Sequence, residues 1–487
     1  MNVLGIDIGT TGCKAILVDA DGTVLSRGYA GYGYTSYGDG RVEQDPEDWY
    51  TALVSATLQA VKGYDAVNIT ALALSTQGGS SCLLSHQESA MTPAITWMDS
   101  RAANEAGELD ILLGRDYVYK TTGWSADAGL DMAKTRWLNK NEPELLAQAK
   151  YFISTIEYIQ LRLTGVMSID PTNAAMRQMM NIHTLKWDAA ILDSISLDQD
   201  KLPLIMPVGT FLGPLTSRAA ADLGLRPDTS VYQGAHDQYC GSLGATAFHP
   251  GDLMISTGTA WAILATVDHA VSTTTYISPG PHVLQGVYGA MATIPTGGAA
   301  LDWLKSNSGD LSYADIDAHA FNSRERTANL LFYPYLNGAG YPIWQNKCKS
   351  SFIGMELHHT AADLAVSCME GIAFQVRYMI EDFEKNNIPI LRLKVIGGAA
   401  NSAAWLAILE AVIRKPLSVV DVKDAPCIGA AAIAGVGCGM FADYDQALSL
   451  MAHLTEYPKA ETAVYEYYEK KYLKFVRGMH ALLSLEE

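Results

Sequence analysis

Between residues 7 and 14 the chain reads Asp-Ile-Gly-Thr-Thr-Gly-Cys-Lys, which gathers a carboxylate, two hydroxyls, two glycines and an ammonium into one bend. Apolar residues run up to it from Leu4 and leave it from Ala15 to Val18, so two strands joined by a Gly/Thr turn are expected. Such a turn aims backbone N–H groups and hydroxyls at a common point, and phosphate is the ligand suited to them. Asp7 has two readings: a turn acceptor, or a carboxylate that organises magnesium through water, since magnesium keeps several waters and uses few protein ligands. Lys14 could snorkel to solvent from its strand. Following Thr10, Thr11 and Gly12, its three donors could instead stabilise the charge of a transferred phosphate.

Asp237, within His236-Asp237-Gln238, is the strongest candidate for a catalytic carboxylate. It precedes a stretch from Gly241 to Gly244 that reads as a turn, and it is close in sequence to a second phosphate-like loop. A carboxylate there can take the proton of a substrate hydroxyl while that oxygen attacks phosphorus. Viewed alone, the same residue is an ordinary surface or capping aspartate. Gln77, Trp97, Asp99 and Arg101 offer an amide, an indole, a carboxylate and a guanidinium, a set that can line a polyol site. Without context, Asp99 and Arg101 could be a surface pair and Trp97 a core residue. His358-His359 lacks the separated, facing geometry of a helical metal pair.

The elements that must position these groups alternate between strand and helix. An apolar run from Asn68 to Ser75 enters the loop Thr76 to Ser81, and 46–64 and 131–139 read as helices, which makes the first half α/β. Near residue 250 the pattern starts again: an apolar strand enters Gly258-Thr259 and another leaves it, suggesting a second, related domain. Leu364, Cys368, Ile372, Val376 and Ile380 form one apolar helical stripe. The strand Leu391 to Val395, the turn Gly397 to Asn401 and a following helix can bring backbone close to a nucleotide, although the glycines could equally serve close packing.

The whole chain supports that plan. At 487 residues it exceeds the size at which one core stops growing, so two domains are expected, 1–245 and 246–487. A formal charge of -18 argues against nucleic acid and anionic membrane surfaces as partners. Seven cysteines without metal-type spacing fit reduced thiols, and with no signal-like start or long apolar span a cytoplasmic location is the expectation.

In order and spacing, these motifs make the chain resemble the FGGY carbohydrate kinase family over essentially its full length. The segments that carry the resemblance are 5–14, Gln77-Gly78-Gly79, 97–101, 158–165, Asp237-Gln238, Gly258-Thr259, 352–371 and Gly397-Gly398-Ala399. The resemblance implies two ribonuclease-H-like, actin-type ATPase domains with ATP and sugar in a central cleft, and Mg2+ with the ATP. It carries phosphate binding onto Thr10, Thr11, Lys14, Gly258 and Thr259, nucleotide contacts onto Gly298, Gly398 and Asn401, and the general base onto Asp237. Sugar contacts fall on Gln77, Gly78, Trp97, Asp99, Arg101, Asp237 and Gln238.

Within the family the layout is most similar to xylulose kinases, which implies phosphorylation of D-xylulose. Another pentulose, a polyol or an aldonate would share the chemistry, and a noncatalytic sugar-binding regulator would bind without turnover. Related proteins are often dimers, but no periodicity locates such an interface. One departure concerns the acceptor: where those kinases usually carry Gln-Met-His-Gly, this chain has Gln77-Gly78-Gly79-Ser80, which removes an imidazole from the loop.

Overall fold

The computed structural model describes residues 1–309, 311–345 and 347–485; residues 310, 346, 486 and 487 of the second expected domain lie outside that description. Two large sheets organise it. The first contains β1 (Asn2–Ile8), β2 (Gly12–Asp19), β3 (Val24–Gly31), β4 (Ile69–Thr76), β5 (Phe211–Pro214) and β6 (Ser230–His236), in the order β5-β6-β4-β1-β2-β3. The second contains β7 (Asp252–Thr257), β8 (Trp261–Val267), β9 (Ser278–Pro281), β10 (Tyr288–Ile294), β11 (Arg392–Gly397), β12 (Leu417–Asp421) and β13 (His453–Glu456), in the order β9-β10-β8-β7-β11-β12-β13.

The two sheets share a plan. In the first, the hairpin β1-β2 is extended by antiparallel β3 on one side and by parallel β4 and β6 on the other. In the second, β7-β8 is extended by antiparallel β10 and by parallel β11 and β12. The repeat expected from Gly9-Thr10 and Gly258-Thr259 therefore extends over six strands, antiparallel β5 and β13 included, while β9 has no counterpart in the first sheet. Central strands such as β1 are apolar on both faces because both are covered, as parallel sheets require.

Local signals start the helices as read. In α1 (Pro46–Val61) Asp45 caps the amide of Glu47 and proline stands in the first turn. The helix read from 131 is α2 (Asp131–Asn141). Three further helices frame the second sheet: α4 (Gly297–Asn307), α5 (Ala361–Lys385) and α6 (Ala403–Ile413). In α5 a capping box joins Thr360 to Asp363, and Cys368, Ile372, Val376 and Ile380 of its stripe are buried.

One expectation fails. Gly241 and Gly244 do not make a turn; they lie in α3 (Asp237–Gly244), whose first residue is Asp237. Gly244 serves a helix crossing with α7 (Ala425–Gly437): a Cβ on Gly244 would stand 2.0 Å from the carbonyl oxygen of Ala425, and one on Gly429 would stand 2.1 Å from that of Cys240. Through α7 the second half packs on the first sheet, and one core mixes Val3, Ala71 and Cys240 with Met254, Ile428 and Ala431. Replacing Gly429 by Val should force the helices apart and destabilise the protein by about 1–3 kcal/mol or more. A denaturant midpoint equal to that of the wild type would refute this account of the crossing.

The described residues contain no disulfide and no cluster of three or more His, Cys, Asp or Glu placed to hold a metal. No described helix is long and apolar enough to cross a membrane. His359 is used locally, its Nδ1 accepting from the amide of Glu356 at 2.9 Å.

Candidate active site

Strand register builds the first half of the site. Parallel pairing sets Asp7 beside Ser75, and Ile8 and His236 beside Thr76, so β1, β4 and β6 all end at one edge. Ligands of open α/β sheets gather at that carboxyl edge. Asp237 begins α3 directly beyond β6, and the Thr10-Thr11 bend follows β1.

Asp7 and Asp237 lie at the same sheet edge, and the charge of Asp237 acts on Asp7. Asp7 accepts from the hydroxyl of Ser75 at 2.7 Å, yet burial first, and then the charge of Asp237, push its pKa to about 7. Burial raises Asp237 to about 7 as well, against hydrogen bonds from Gln238 that lower it. Two carboxyls poised this way can exchange protons near neutral pH, and a cation between them would relieve both.

Lys14 is paired, at 2.7 Å, with Asp424, the residue before α7. Burial pulls its pKa down, but the hydrogen bond and charge of Asp424 prevail and hold the ammonium above the ordinary lysine value. Sequence reading missed Asp424, whose partner is 410 positions away. The signal available was a proline following it by two residues, as at a helix start.

Of the residues expected to line the sugar site, Trp97 and Gln77 converge around Thr10. The Trp97 indole donates to the Thr10 hydroxyl at 3.2 Å. Gln77 donates from its amide nitrogen to Gln44, which donates in turn to the carbonyl of Thr10, while Trp49 also donates to Gln44. The Gln77 side-chain oxygen is buried without a hydrogen-bond partner among the described residues, an acceptor left to spare. Below the loop, the buried Lys134 ammonium donates to the carbonyls of Gly79 and Ile95, and burial pulls its pKa down to about 8.

Asp99 and Arg101 stand differently from Trp97. Both Asp99 oxygens are engaged: Oδ1 accepts from the amide and Nε of Arg101, and Oδ2 from the Val42 amide and an Arg101 terminal nitrogen. Arg101 also donates to Glu43 at 2.6 Å. The pair braces the chain on either side of Trp97.

His236, also not singled out from sequence, fills the space over Gly78. A Cβ on Gly78 would lie 2.6 Å from the imidazole Cδ2. The His236 Nε2 is 3.3 Å from Asp237 Oδ1, and burial drops its pKa to about 4, so the ring is neutral at physiological pH.

The second cluster lies on the second sheet. Thr257 pairs with Gly397 in parallel register, and its hydroxyl donates to the carbonyl of Ile396 and accepts the amide of Ala399. This ties the Gly258-Thr259 bend to the turn at Gly398 and Asn401. The start of α4 joins them: the amides of Gly298 and Ala299 donate to the carbonyls of Gly258 and Thr259, both at 3.0 Å. A Cβ on Gly298 would lie 2.4 Å from the Gly258 oxygen, so only glycine permits this approach. Asn401 is exposed.

The structure thus forms two clusters, with no hydrogen bond or ion pair between them among the described residues. The amides of Thr10, Thr11, Gly258 and Thr259 enter no hydrogen bond within the described residues. They remain free to donate, as phosphate oxygens need. With the Asp7-Asp237 pair, the residues present fit a magnesium-bound polyphosphate.

The "FGGY family of carbohydrate kinases, N-terminal domain" matches residues 2–244, and its C-terminal domain matches residues 253–438. The gluconokinase of Bacillus subtilis (strain 168) is 25% identical over 489 residues, covering 96% of this chain and 93% of that protein. The xylulose kinase of Staphylococcus xylosus is 27% identical over 454 residues, covering 91% of this chain and 92% of that one. The solved structure of a gluconate kinase from Lactobacillus acidophilus shares the fold, with a TM-score of 0.93 at 24% identity over 99% of this chain and 98% of that one.

Proposed function

Since the chain belongs to the FGGY family of carbohydrate kinases, we propose that it transfers the terminal phosphoryl group of ATP to a hydroxyl of a small sugar, D-xylulose being the first candidate and D-xylulose 5-phosphate its product. The observation that carries this reading is Asp237, a half-buried carboxylate of pKa about 7 at the edge where β1, β4 and β6 end. The similarity to xylulose kinases favours the pentulose. An aldonate is the second reading, and the similarity to a gluconokinase supports it.

In this reading the matched strand orders support two ribonuclease-H-like domains of the actin type, meeting near residue 245. The first holds the acceptor at Gln77, Gly78, Trp97, Asp237 and Gln238, with Asp99 and Arg101 bracing that wall. The second holds the nucleotide at Gly258, Thr259, Gly298, Gly398 and Asn401. Asp7 would hold magnesium through water, and the ion would supply charge neutralisation to the phosphates. Asp237 takes the acceptor proton, and its pKa near 7 suits it both to be ionised and to be basic enough for that task. Lys14 exchanges Asp424 for phosphate oxygens, while the amides of Thr10 and Thr11 donate to developing charge. A cytoplasmic location accords with cysteines that form no disulfide among the described residues.

The test is incubation with Mg-ATP and D-xylulose, L-xylulose, D-ribulose, L-ribulose, glycerol or gluconate, with ADP and phosphorylated product both measured by mass. Matched ADP and phosphosugar with a pentulose is the expected result. Product from gluconate alone would move the assignment to the aldonate. ATP binding without product from any acceptor would overturn the kinase reading in favour of a sugar-binding protein.

A further inference from the structure

We infer that His236 is a positioning residue for Asp237: its Nε2–H turns to Oδ1 and so presents Oδ2 to the acceptor hydroxyl. The inference rests on the kinase reading above. Three observations carry it. His236 Nε2 stands 3.3 Å from Asp237 Oδ1, the distance of a hydrogen bond still to be aligned, and such bonds tighten when substrate is bound. His236 is buried at 4% exposure, and its backbone amide is anchored to the hydroxyl of Thr172 at 2.8 Å. Gly78 has no Cβ where one would stand 2.6 Å from Cδ2 and 2.9 Å from Nε2, so the bare loop residue is what admits the ring edge that faces Asp237.

The tautomer follows from the surroundings. Nδ1 is buried with no hydrogen-bond partner among the described residues. A proton on Nδ1 would leave a donor unpaired and set the Nε2 lone pair against a carboxylate. A proton on Nε2 avoids both costs. Because the ring is neutral, it orients Asp237 without the charge that would weaken it as a base. In the transfer step the acceptor O–H gives its proton to Oδ2 as its oxygen bonds to phosphorus and the ADP oxygen departs; His236 exchanges no proton.

The test compares His236→Leu, His236→Gln and Gly78→Ala with the wild type on the best acceptor, reading kcat and acceptor KM separately, with circular dichroism as the check on folding. Loss of orientation should lower kcat of His236→Leu by about 10–10²-fold, with KM nearly unchanged. His236→Gln, whose side-chain amide can reach the Nε2 position, should recover most of that loss. Gly78→Ala should lower kcat by displacing the ring. If His236→Leu does not fold, the Gln and Ala variants carry the test, and wild-type kcat in Gly78→Ala overturns the inference. A folded His236→Leu with wild-type kcat, a rise in KM alone, or a Gln variant as impaired as the Leu variant would also overturn it. A wild type without acceptor-dependent turnover fails the kinase reading first and this inference with it, whereas turnover indifferent to His236 fails this inference alone.

Discussion

Asp237→Asn is expected to leave a folded protein whose sugar phosphorylation is slowed about 10²–10⁴-fold, the contribution of a well-placed general base. An amide keeps the size and most contacts of the carboxylate but cannot take the acceptor proton. In the wild type, kcat should rise with pH through an acidic limb centred near 7, where burial has placed the carboxyl, and the variant should lose that limb.

The same substitution should stabilise the fold, in a direction set by linkage. Burial raises Asp237 from 3.8 to about 7, so between those values the folded protein holds a proton that the unfolded chain releases. Stability from this source is complete below about pH 4 and is lost as pH rises through about 7. Asparagine is neutral throughout, so above pH 7, with magnesium chelated, the variant should be the more stable. The bound is roughly 4 kcal/mol, at about 1.4 kcal/mol per tenfold change in acidity. Denaturant titrations at pH 5 and 8 would check this. A variant less stable than the wild type at pH 8, or one with undiminished turnover, would remove Asp237 from the role of a strained base.

Arg177→Met should be the most damaging change to the fold outside the site. The guanidinium is fully buried and donates to Asp131 at 2.6 Å, Glu157 at 3.2 Å and the Phe152 carbonyl at 3.0 Å, and both carboxylates are also fully buried. Removing it leaves two anions without their cation, a change that costs about 3–5 kcal/mol when a buried pair is broken. Asp131 also accepts from Ser81, and Lys134, one turn later in α2, donates to Gly79, so the loss should reach the loop that carries Gln77 and Gly78. The expected result is a lowered denaturant midpoint together with a raised acceptor KM. An unchanged midpoint would mean that the two carboxyls are satisfied without arginine.

Much of the site was legible because it is local. The hairpin around Thr10 and Thr11, the strand into Gln77 and the bend at Gly258-Thr259 all announce themselves within a dozen residues. The turn mistakenly read at Gly241 to Gly244 shows the limit, since Gly244 answers to Ala425 on a helix some 180 positions later. Asp99 and Arg101 read from sequence as polyol ligands or, without context, as a surface pair; they form a buried pair instead, and its commitment to Val42 and Glu43 depends on a strand more than fifty residues earlier.

By itself, then, the chain determined the α/β pattern, the repeated hairpin, the strand ends and the residue types gathered at them, because caps, turns and strand periodicity are settled by near neighbours. Tertiary structure alone decided that Asp7 and Asp237 lie at the same sheet edge and titrate near 7, that Lys14 rests on Asp424, and that His236 occupies the room left by Gly78. The physical reason is one of range: desolvation, charge and van der Waals exclusion sum over every group close in space, and here those groups come from segments up to 410 residues apart.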